Sequence, residues 1–256
     1  MTTELDDARA EIARLQQQLA QARLALEDFT YSVSHDLRAS LRHVSEYLKI
    51  VREDLGDGVA APIASHLNTA GEAAAQMGRL MDGLLELSRI DRVELQLADV
   101  DLSLLVADAR RQLEMDAGQR RIEWNIAPDL PHVRGDMVLL GRMLAHLLAN
   151  ALKFTRPCAP ATIAVGWTRQ DGGHCELRIQ DNGVGFDARL QDRLFRVFQR
   201  LHNPREFEGV GIGLALARRV VERHGGTIRA RGDMAPGCQI SLTLPLANAP
   251  LVAAPA

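Results

Sequence analysis

The chain has 256 residues and a mass of 28.1 kDa, enough for one or two domains with a buried core. Its 46% hydrophobic and 25% charged residues are typical of a globular protein and exclude a fibrous or a small disulfide-stapled one. The net charge of −3 provides no basic surplus for a phosphate backbone, so we expect no nucleic-acid partner. The longest apolar stretch, residues 138–152, is interrupted by Arg142, His146 and Asn150, and it predicts no membrane span.

The N terminus and the cysteines indicate the compartment. The first residues, MTTELDD, are acidic and lack the basic and apolar regions of a signal peptide. The three cysteines, Cys158, Cys175 and Cys238, have neither CxxC spacing nor an even count for pairing. These features predict a cytoplasmic protein.

The first 28 residues have the apolar repeat of a coiled coil, and the repeat continues into the segment that follows. One row of the repeat contains Leu5, Ile12, Leu19, Leu26 and Val33, and the other contains Ala8, Leu15, Ala22 and Phe29. The two rows alternate with 3-4 spacing, which forms an apolar seam along one side of a helix. We therefore expect a long helix that associates with a second helix.

A turn and a second amphipathic helix follow. Residues 56–62, GDGVAAP, contain two glycines and a proline, which favour a turn between antiparallel helices. The next segment repeats the 3-4 spacing from Ile63 to Ser88. One helical hairpin cannot bury such a seam alone, whereas two copies form a four-helix bundle. The pattern predicts a homodimer.

From about residue 97 the pattern becomes mixed. Strand-like alternation covers residues 121–126, 162–167, 175–179, 227–231 and 239–244, and helical periodicity covers residues 102–117, 136–152 and 212–224. We predict an α+β fold in which a helical hairpin is followed by an α/β sandwich. The last residues, 248–256, have no periodicity and predict a disordered tail.

The first candidate for chemistry is His35, which Asp36 follows directly. His35 lies two residues beyond the seam residue Val33, so it points away from the helix interface. Asp36 can hydrogen-bond one ring nitrogen and leave the other free as a nucleophile, with the carboxylate as base. A solvated histidine on a helix surface explains the same pair when it is considered alone.

The second candidate is a set of segments suited to a nucleotide. The amide oxygen of Asn150 is a suitable Mg²⁺ ligand, Lys153 can contact phosphate, and Asp181 can accept from the amine of adenine. Two glycine runs follow, DNGVG at 181–185 and GVGIGL at 209–214. Glycines allow the backbone to approach a ligand closely, and a helix start offers free N–H groups to phosphate. The spacing fits neither the dinucleotide fingerprint nor a P-loop, and ordinary turns explain each run alone.

Together, these segments resemble the conserved core of a two-component sensor histidine kinase of the phytochrome-like type. The matching segments are residues 29–39 for the H box, 150–155 for the N box, 181–186 for the G1 box, 194–202 for the F box and 209–214 for the G2 box. The resemblance covers about residues 25–246, and five boxes in the family's order make it specific.

The resemblance implies a domain organisation. It consists of an N-terminal coiled coil (1–28), a dimerisation and histidine phosphotransfer hairpin (29–96), a Bergerat-type, or GHKL-type, catalytic ATP-binding domain (97–247) and the tail. It implies a homodimer that transfers phosphate from Mg-ATP to His35 and then to an aspartate of a response-regulator receiver domain. An upstream sensor domain or protein would supply the signal.

The resemblance also implies the roles of individual residues. His35 is the phosphoacceptor and nucleophile, Asp36 its base, and Asn150 the Mg²⁺ ligand. The implied ATP-binding residues are Asn150, Lys153, Asp181, Gly183, Gly185, Gly209, Gly211, Gly213 and Leu214.

Three residues depart from the family's pattern. Ser40 stands where proline is usual, His146 replaces the first asparagine of the N box, and Val210 replaces a frequent threonine. Two alternatives therefore stay open: a catalytically weak scaffold that sequesters a receiver domain, and a serine-directed kinase or ATPase on the same nucleotide fold. The intact pair of His35 and Asp36 argues against the latter.

Overall fold

The computed structural model describes residues 2–56, 60–118, 120–203, 206–232 and 237–247. The chain divides into two compact units, Met1–Arg89 and Ile90–Ala256. The division falls within a helix, whereas the sequence predicted a boundary between residues 96 and 97. The predicted disordered tail, residues 248–256, lies outside the described residues.

The first unit is a helical hairpin. Helix α1 covers Thr2–Leu55, and helix α2 covers Ala61–Arg92 and extends just beyond the unit. Arg38 bonds to Asp82 near the far end of the hairpin, and Arg52 bonds to Asn68 nearer the turn. Arg52 follows Arg38 along α1, whereas Asn68 precedes Asp82 along α2. The two helices are therefore antiparallel, as predicted. The turn begins at Gly56, which has a φ of +61°, while residues 57–59 lie outside the described part.

The apolar seam of α1 is exposed in a single chain. Ile12, Leu15, Leu19, Phe29 and Val33 are between 38% and 66% exposed. Apolar residues at heptad positions gain stability only when a neighbouring helix covers them. The side chains of Leu5, Ala8 and Leu26, which the predicted seam also contains, lie outside the described part of the structure.

The second unit contains a five-stranded and a two-stranded sheet. The five-stranded sheet has the order β2-β4-β5-β7-β6, in which β2 and β4 are parallel and the other neighbours antiparallel. Its strands are β2 (Ile122–Ile126), β4 (Ala161–Gln170), β5 (His174–Asp181), β6 (Ile228–Arg231) and β7 (Cys238–Pro245). The small sheet pairs β1 (Leu97–Asp101) with β3 (His132–Asp136) in antiparallel register.

Three helices pack with the sheet to form the core. They are α3 (Leu102–Asp116), α4 (Met137–Phe154) and α5 (Gly213–Arg223). Helix α4 contacts both of the others and the strands β4 and β5. Alternate residues of β5, such as Leu177 and Ile179, are buried, as expected for a sheet covered on one face.

Helix α4 is the central helix of this core. Its buried residues are Leu139, Leu140, Met143, Leu144, Leu147, Leu148, Ala151 and Leu152. By length and hydropathy alone α4 is also able to cross a membrane, but 44% of it is buried inside the unit. Among the described residues it is the single helix that meets this criterion. Its packing is that of a core helix.

The start of α4 is fixed by a buried carboxylate. Asp136 accepts hydrogen bonds from the backbone N–H groups of Val138 and Leu139, which satisfies two donors at the helix start. Burial alone would raise the pKa of Asp136, but these bonds and one from Gln96 lower it. Nε2 of the buried His224 accepts from the Asp136 backbone N–H at 2.9 Å. This contact joins the end of α5 to the beginning of α4.

The predicted fold class, a helical hairpin followed by an α+β domain, is confirmed. The three helices and five strands predicted after residue 97 occur within a few residues of their predicted limits. The two strands β1 and β3 were not predicted. Their sequences, LADVD and HVRGD, contain aspartates and a glycine, which disfavour strands in isolation. The pairing of two hairpins stays a prediction.

Candidate active site

The predicted phosphoacceptor histidine is exposed on α1 and lies beside a carboxylate. Nδ1 of His35 is 3.3 Å from Oδ1 of Asp36, and the two side chains are 64% and 79% exposed. A proton on Nδ1 is donated to Asp36 in this arrangement, and Nε2 then has a lone pair for attack. The preceding residue, Ser34, is buried, whereas the imidazole is exposed, so the two side chains lie on different sides of α1.

Asn150 and Lys153 lie one turn apart at the end of α4, where their side chains contact each other. Nζ of Lys153 donates to Oδ1 of Asn150 at 3.0 Å and lies 4.4 Å from the ring centre of Phe154. Burial lowers the pKa of Lys153, the Glu208 carboxylate opposes that effect, and the Arg200 cation adds to it. The amide oxygen of Asn150 has a second lone pair, which is the one that a metal ion would use.

Asp181 is the buried carboxylate at the end of β5. Its Oδ1 accepts from the backbone N–H groups of Gly183, at 2.8 Å, and Cys238, at 3.3 Å. Burial raises its pKa to about 6, and the two hydrogen bonds limit that rise. Burial and the neighbouring Asp181 charge also raise the pKa of the Cys238 thiol to about 12, so this cysteine is an unreactive thiol at neutral pH.

Two glycines of the predicted nucleotide-binding segments lie so close to other backbone that a larger residue would clash. A Cβ atom on Gly183 would lie 2.6 Å from the carbonyl oxygen of Phe154, so a larger residue would push the turn away from the helix. Gly211 has a φ of +74°, and a Cβ there would lie 2.6 Å from the carbonyl oxygen of Gln199. The remaining predicted ATP-binding residues are Gly185 in the loop after β5, Gly209 in the loop before α5, and Gly213 and Leu214 in the first turn of α5.

These close approaches bring the predicted nucleotide-binding segments to one helix. Gly183 meets the end of α4, the Cβ position of Gly209 is 3.5 Å from Nζ of Lys153, and that of Gly213 is 3.4 Å from Nδ1 of His146. His146 therefore faces the first turn of α5. The predicted ATP-binding residues lie in the second unit, and His35 and Asp36 lie in the first.

Two further contacts at this helix were not predicted from the sequence. Arg120 donates to the carbonyl oxygens of Leu152, at 3.0 Å, and Thr155, at 2.8 Å, and so closes the last turn of α4. Arg156, just beyond the helix, forms a two-pronged ion pair with Glu208. Nothing in the sequence pattern marks these arginines or this glutamate, since their partners are distant along the chain.

An aromatic cluster holds the loop before α5 against the end of α4. The rings of Phe154, His202 and Phe207 lie with their centres 5.0 to 5.4 Å apart in tilted arrangements, and Phe207 is buried. In addition, Arg200 donates to the carbonyl oxygen of Phe207 at 2.6 Å. The segment that contains the F box is thus attached beside Lys153.

No metal cluster of protein ligands alone is present in the part of the chain that the structure describes: three or more His, Cys, Asp or Glu side chains are not grouped there. A metal ion at Asn150 would need oxygen ligands from a bound molecule and from water.

Most of the second unit matches a known protein family. Residues 135–248 match the family of histidine kinase-, DNA gyrase B-, and HSP90-like ATPases. This segment includes all the residues from Asn150 to Leu214 that were predicted to bind ATP.

Relatives also align with the helical hairpin. Cyanobacterial phytochrome B of Nostoc sp. is 33% identical over 91% of this chain and 31% of its own length. The methanogenesis regulatory histidine kinase FilI of Methanothrix harundinacea is 33% identical over 86% of this chain and 24% of its own length. The chain is a sensor histidine kinase core with a GHKL-type ATP-binding domain. This kinase core spans about a third or less of the curated relatives it matches.

A solved structure agrees with the fold of the kinase core. Full-length ShkA, crystallised in complex with AMPPNP, has a TM-score of 0.62 and 23% identity, covering 88% of this chain and 47% of that one. At this identity the similarity establishes the fold alone.

Proposed function

We propose that this kinase core uses ATP to phosphorylate itself on His35 and then passes the phosphoryl group to an aspartate of a response-regulator receiver domain. The observation that carries the proposal is an exposed histidine, paired with a carboxylate, in the same chain as an ATPase-type domain. Neither feature has this meaning alone, since exposed histidines are common and the ATPase family is broad.

The second unit would bind the adenine through a carboxylate and the phosphates through a lysine and backbone N–H groups. Oδ1 of Asp181 is used by two backbone N–H groups, and Oδ2 is the oxygen that would accept from the amine of adenine. Lys153 would contact the phosphates, and the first turn of α5, with Gly213 and Leu214, would offer backbone N–H groups to them. Gly183, Gly185, Gly209 and Gly211 would allow close approach of the backbone.

The residues at the end of α4 fit Mg²⁺ as a cofactor. Asn150 supplies one hard oxygen, and Mg²⁺ in nucleotide sites commonly takes one or two protein oxygens together with phosphates and waters. The imidazole of His146 suits softer ions, and it faces Gly213. When bound, Mg²⁺ would neutralise charge on the phosphates.

Phosphorylation of His35 needs a base beside the imidazole and access of the γ-phosphate to Nε2. The lone pair of Nε2 would attack the γ-phosphorus, forming the N–P bond while the bond to the bridging oxygen breaks and ADP leaves. Asp36 would hold the Nδ1 proton and stabilise the positive charge that develops on the ring. In the second step a receiver aspartate oxygen would attack the same phosphorus, and the N–P bond would break.

The exposed seam supports a homodimer as the working form. Ile12, Leu15 and Leu19 are about half exposed in one chain, and a second copy would cover them. We also propose a cytoplasmic location, because ATP and receiver domains are available there.

Phosphotransfer profiling tests the proposal. The kinase core is incubated with γ-labelled ATP and then with a panel of purified receiver domains. Label should move rapidly to one receiver and not to the same receiver with its acceptor aspartate replaced by asparagine. Labelling of the kinase core without transfer to any receiver would contradict the second step, and no labelling at all would favour the scaffold alternative.

A further inference from the structure

The carboxylate of Glu208 occupies an unusual place for an anion in a site that would bind phosphate. Glu208 stands directly before Gly209 in the loop that leads to α5, and its two oxygens accept from both terminal nitrogens of Arg156. Arg156 follows α4 by two residues, next to the turn that contains Lys153. The ion pair therefore joins the loop before α5 to the helix end with Asn150 and Lys153.

Glu208 is the negative member of a mainly positive group. The charges that act on Lys153 are those of Glu208, Arg200 and Arg156: the first favours the charged ammonium group and the other two disfavour it. The hydrogen bonds from Arg156 lower the pKa of Glu208 to about 2, and the Lys153 charge contributes to this effect. Glu208 is thus ionised at any pH where the protein would work.

The residue that follows this anion lies close to Lys153, and the anion itself is open to solvent. The Cβ position of Gly209, the residue next to Glu208, lies 3.5 Å from Nζ of Lys153. The side chain of Glu208 is 67% exposed, and that of Arg156 is 45% exposed. Ion pairs this exposed contribute little to stability, so this pair can separate at small cost.

We propose that Glu208 is an internal counter-ion of the phosphate subsite. It neutralises Arg156 and Lys153 when no nucleotide is bound, and the phosphates of an incoming nucleotide compete with it for these cations. Glu208 therefore weakens the binding of phosphorylated ligands in proportion to their negative charge. The inference rests on the proposed role of Lys153 as a phosphate contact.

Removal of the charge should tighten binding. Glu208→Gln keeps the size of the side chain but removes its attraction for the two cations, and it leaves Arg156 available to a ligand. We expect affinity for AMPPNP to rise about fivefold, equivalent to about 1 kcal/mol, at an ionic strength of about 50 mM. The gain should fall below about twofold at about 0.5 M salt, because exposed charges are screened over a few ångströms there.

The experiment compares ligands with and without phosphate on the full chain. Calorimetric titration gives the affinity for AMPPNP with Mg²⁺, and displacement of AMPPNP gives the affinity for adenosine. Glu208→Gln should tighten AMPPNP and leave adenosine unchanged. The matched control is Glu206→Gln, which removes an exposed carboxylate from the same loop and should change neither affinity.

A second variant separates charge competition from a positioning role. Arg156→Gln should weaken AMPPNP, because it removes a cation and leaves the charge of Glu208 to act on Lys153 without a partner. If Glu208→Gln also weakens AMPPNP, or leaves it unchanged, the ion pair does not compete with phosphate and the proposal is wrong. Equal tightening of adenosine would overturn it too, since that indicates a general rearrangement. Failure of the wild-type protein to bind AMPPNP would overturn the proposed function itself and this inference with it.

Discussion

Asp181 combines burial with a proposed role, acceptance of a hydrogen bond from adenine, that requires a negative charge. Burial raises its pKa to about 6, close to neutral pH. A carboxylate accepts a hydrogen bond from the amine of adenine, whereas a protonated carboxyl group competes as a donor. The affinity for nucleotide should therefore fall as the pH falls through about 6.

This pH dependence can be isolated with one variant. Between pH 7 and pH 5 the ionised fraction of a group with a pKa of about 6 falls about tenfold, and the affinity for AMPPNP should fall with it. Asp181→Asn keeps an acceptor oxygen for Gly183 but does not titrate. Protonation of the phosphates affects both proteins equally, so the ratio of wild-type to variant affinity reports on Asp181 alone. This ratio should decrease on acidification. A constant ratio would contradict the role of Asp181.

Asp36 is predicted to act through His35 alone. Its carboxylate is 79% exposed and contacts the imidazole at 3.3 Å. Asp36→Asn should slow autophosphorylation by about 10²-fold or more, the range of general-base assistance, while AMPPNP affinity stays unchanged. Radiolabel incorporation measured at saturating ATP gives the rate. Equal losses of rate and of AMPPNP affinity would indicate misfolding in place of a catalytic effect.

The candidate site residues were chosen from the sequence by their own type and order, and their roles stay predictions. His35 with Asp36, and Asn150 with Lys153, are neighbours on a helix, so their contacts follow from local geometry. The contacts of Arg120 with Thr155 and of Arg156 with Glu208 join residues 35 and 52 positions apart. Such contacts depend on the packing of the whole domain, and no local pattern reveals them.

At the scale of elements, Arg120, which is not part of α4, stabilises the last turn of that helix. A helix end leaves carbonyl groups without intrahelical partners, and the guanidinium group satisfies those of Leu152 and Thr155. Arg120→Ala should lower the free energy of unfolding by about 1–3 kcal/mol, the usual effect of losing charged hydrogen bonds. It should also weaken AMPPNP binding, because Asn150 and Lys153 lie on that turn.

Chemical denaturation and AMPPNP titration measure the two effects. The control is Arg121→Ala, which removes the adjacent arginine, 79% exposed and paired with Glu123, and should change stability by less than about 0.5 kcal/mol. Similar effects of the two variants would show that Arg120 does not support α4 specifically.

Long elements were predictable and short ones were not. Helix α4 repeats apolar residues over five turns, and β5 alternates buried and half-buried residues along its whole length. Strands β1 and β3 have five residues each, and their pairing depends on tertiary contacts. His132 and Asp99, for example, meet across the two strands at 2.7 Å. Strand propensity is too weak in such segments to overcome their charged residues and glycine.

At the scale of the whole molecule, the apolar seam of α1 predicts association of two chains. Leu15 and Leu19 are 53% and 54% exposed, and a second chain would bury them. The double substitution Leu15→Asp and Leu19→Asp should raise the dimer dissociation constant by roughly tenfold or more, because each charge would be buried at the interface. Sedimentation over a range of concentrations measures it.

The matched control for the dimer is Gln17→Asp, which places one charge on α1 between the two positions but off the seam. It should leave the dissociation constant unchanged. If the double variant and the control behave alike, the seam of residues 1–28 does not contribute to dimerisation.

The measurement that tests the central claim most directly is the identity of the phosphorylated residue after incubation with γ-labelled ATP. The label on the wild-type chain should be lost in acid and retained in alkali, as expected for phosphohistidine. His35→Gln should abolish labelling while AMPPNP binding and dimerisation stay intact, since the His35 side chain is 64% exposed and outside the seam. Acid-stable label, or labelling of His35→Gln at the wild-type rate, would contradict the assignment of His35 as the phosphoacceptor.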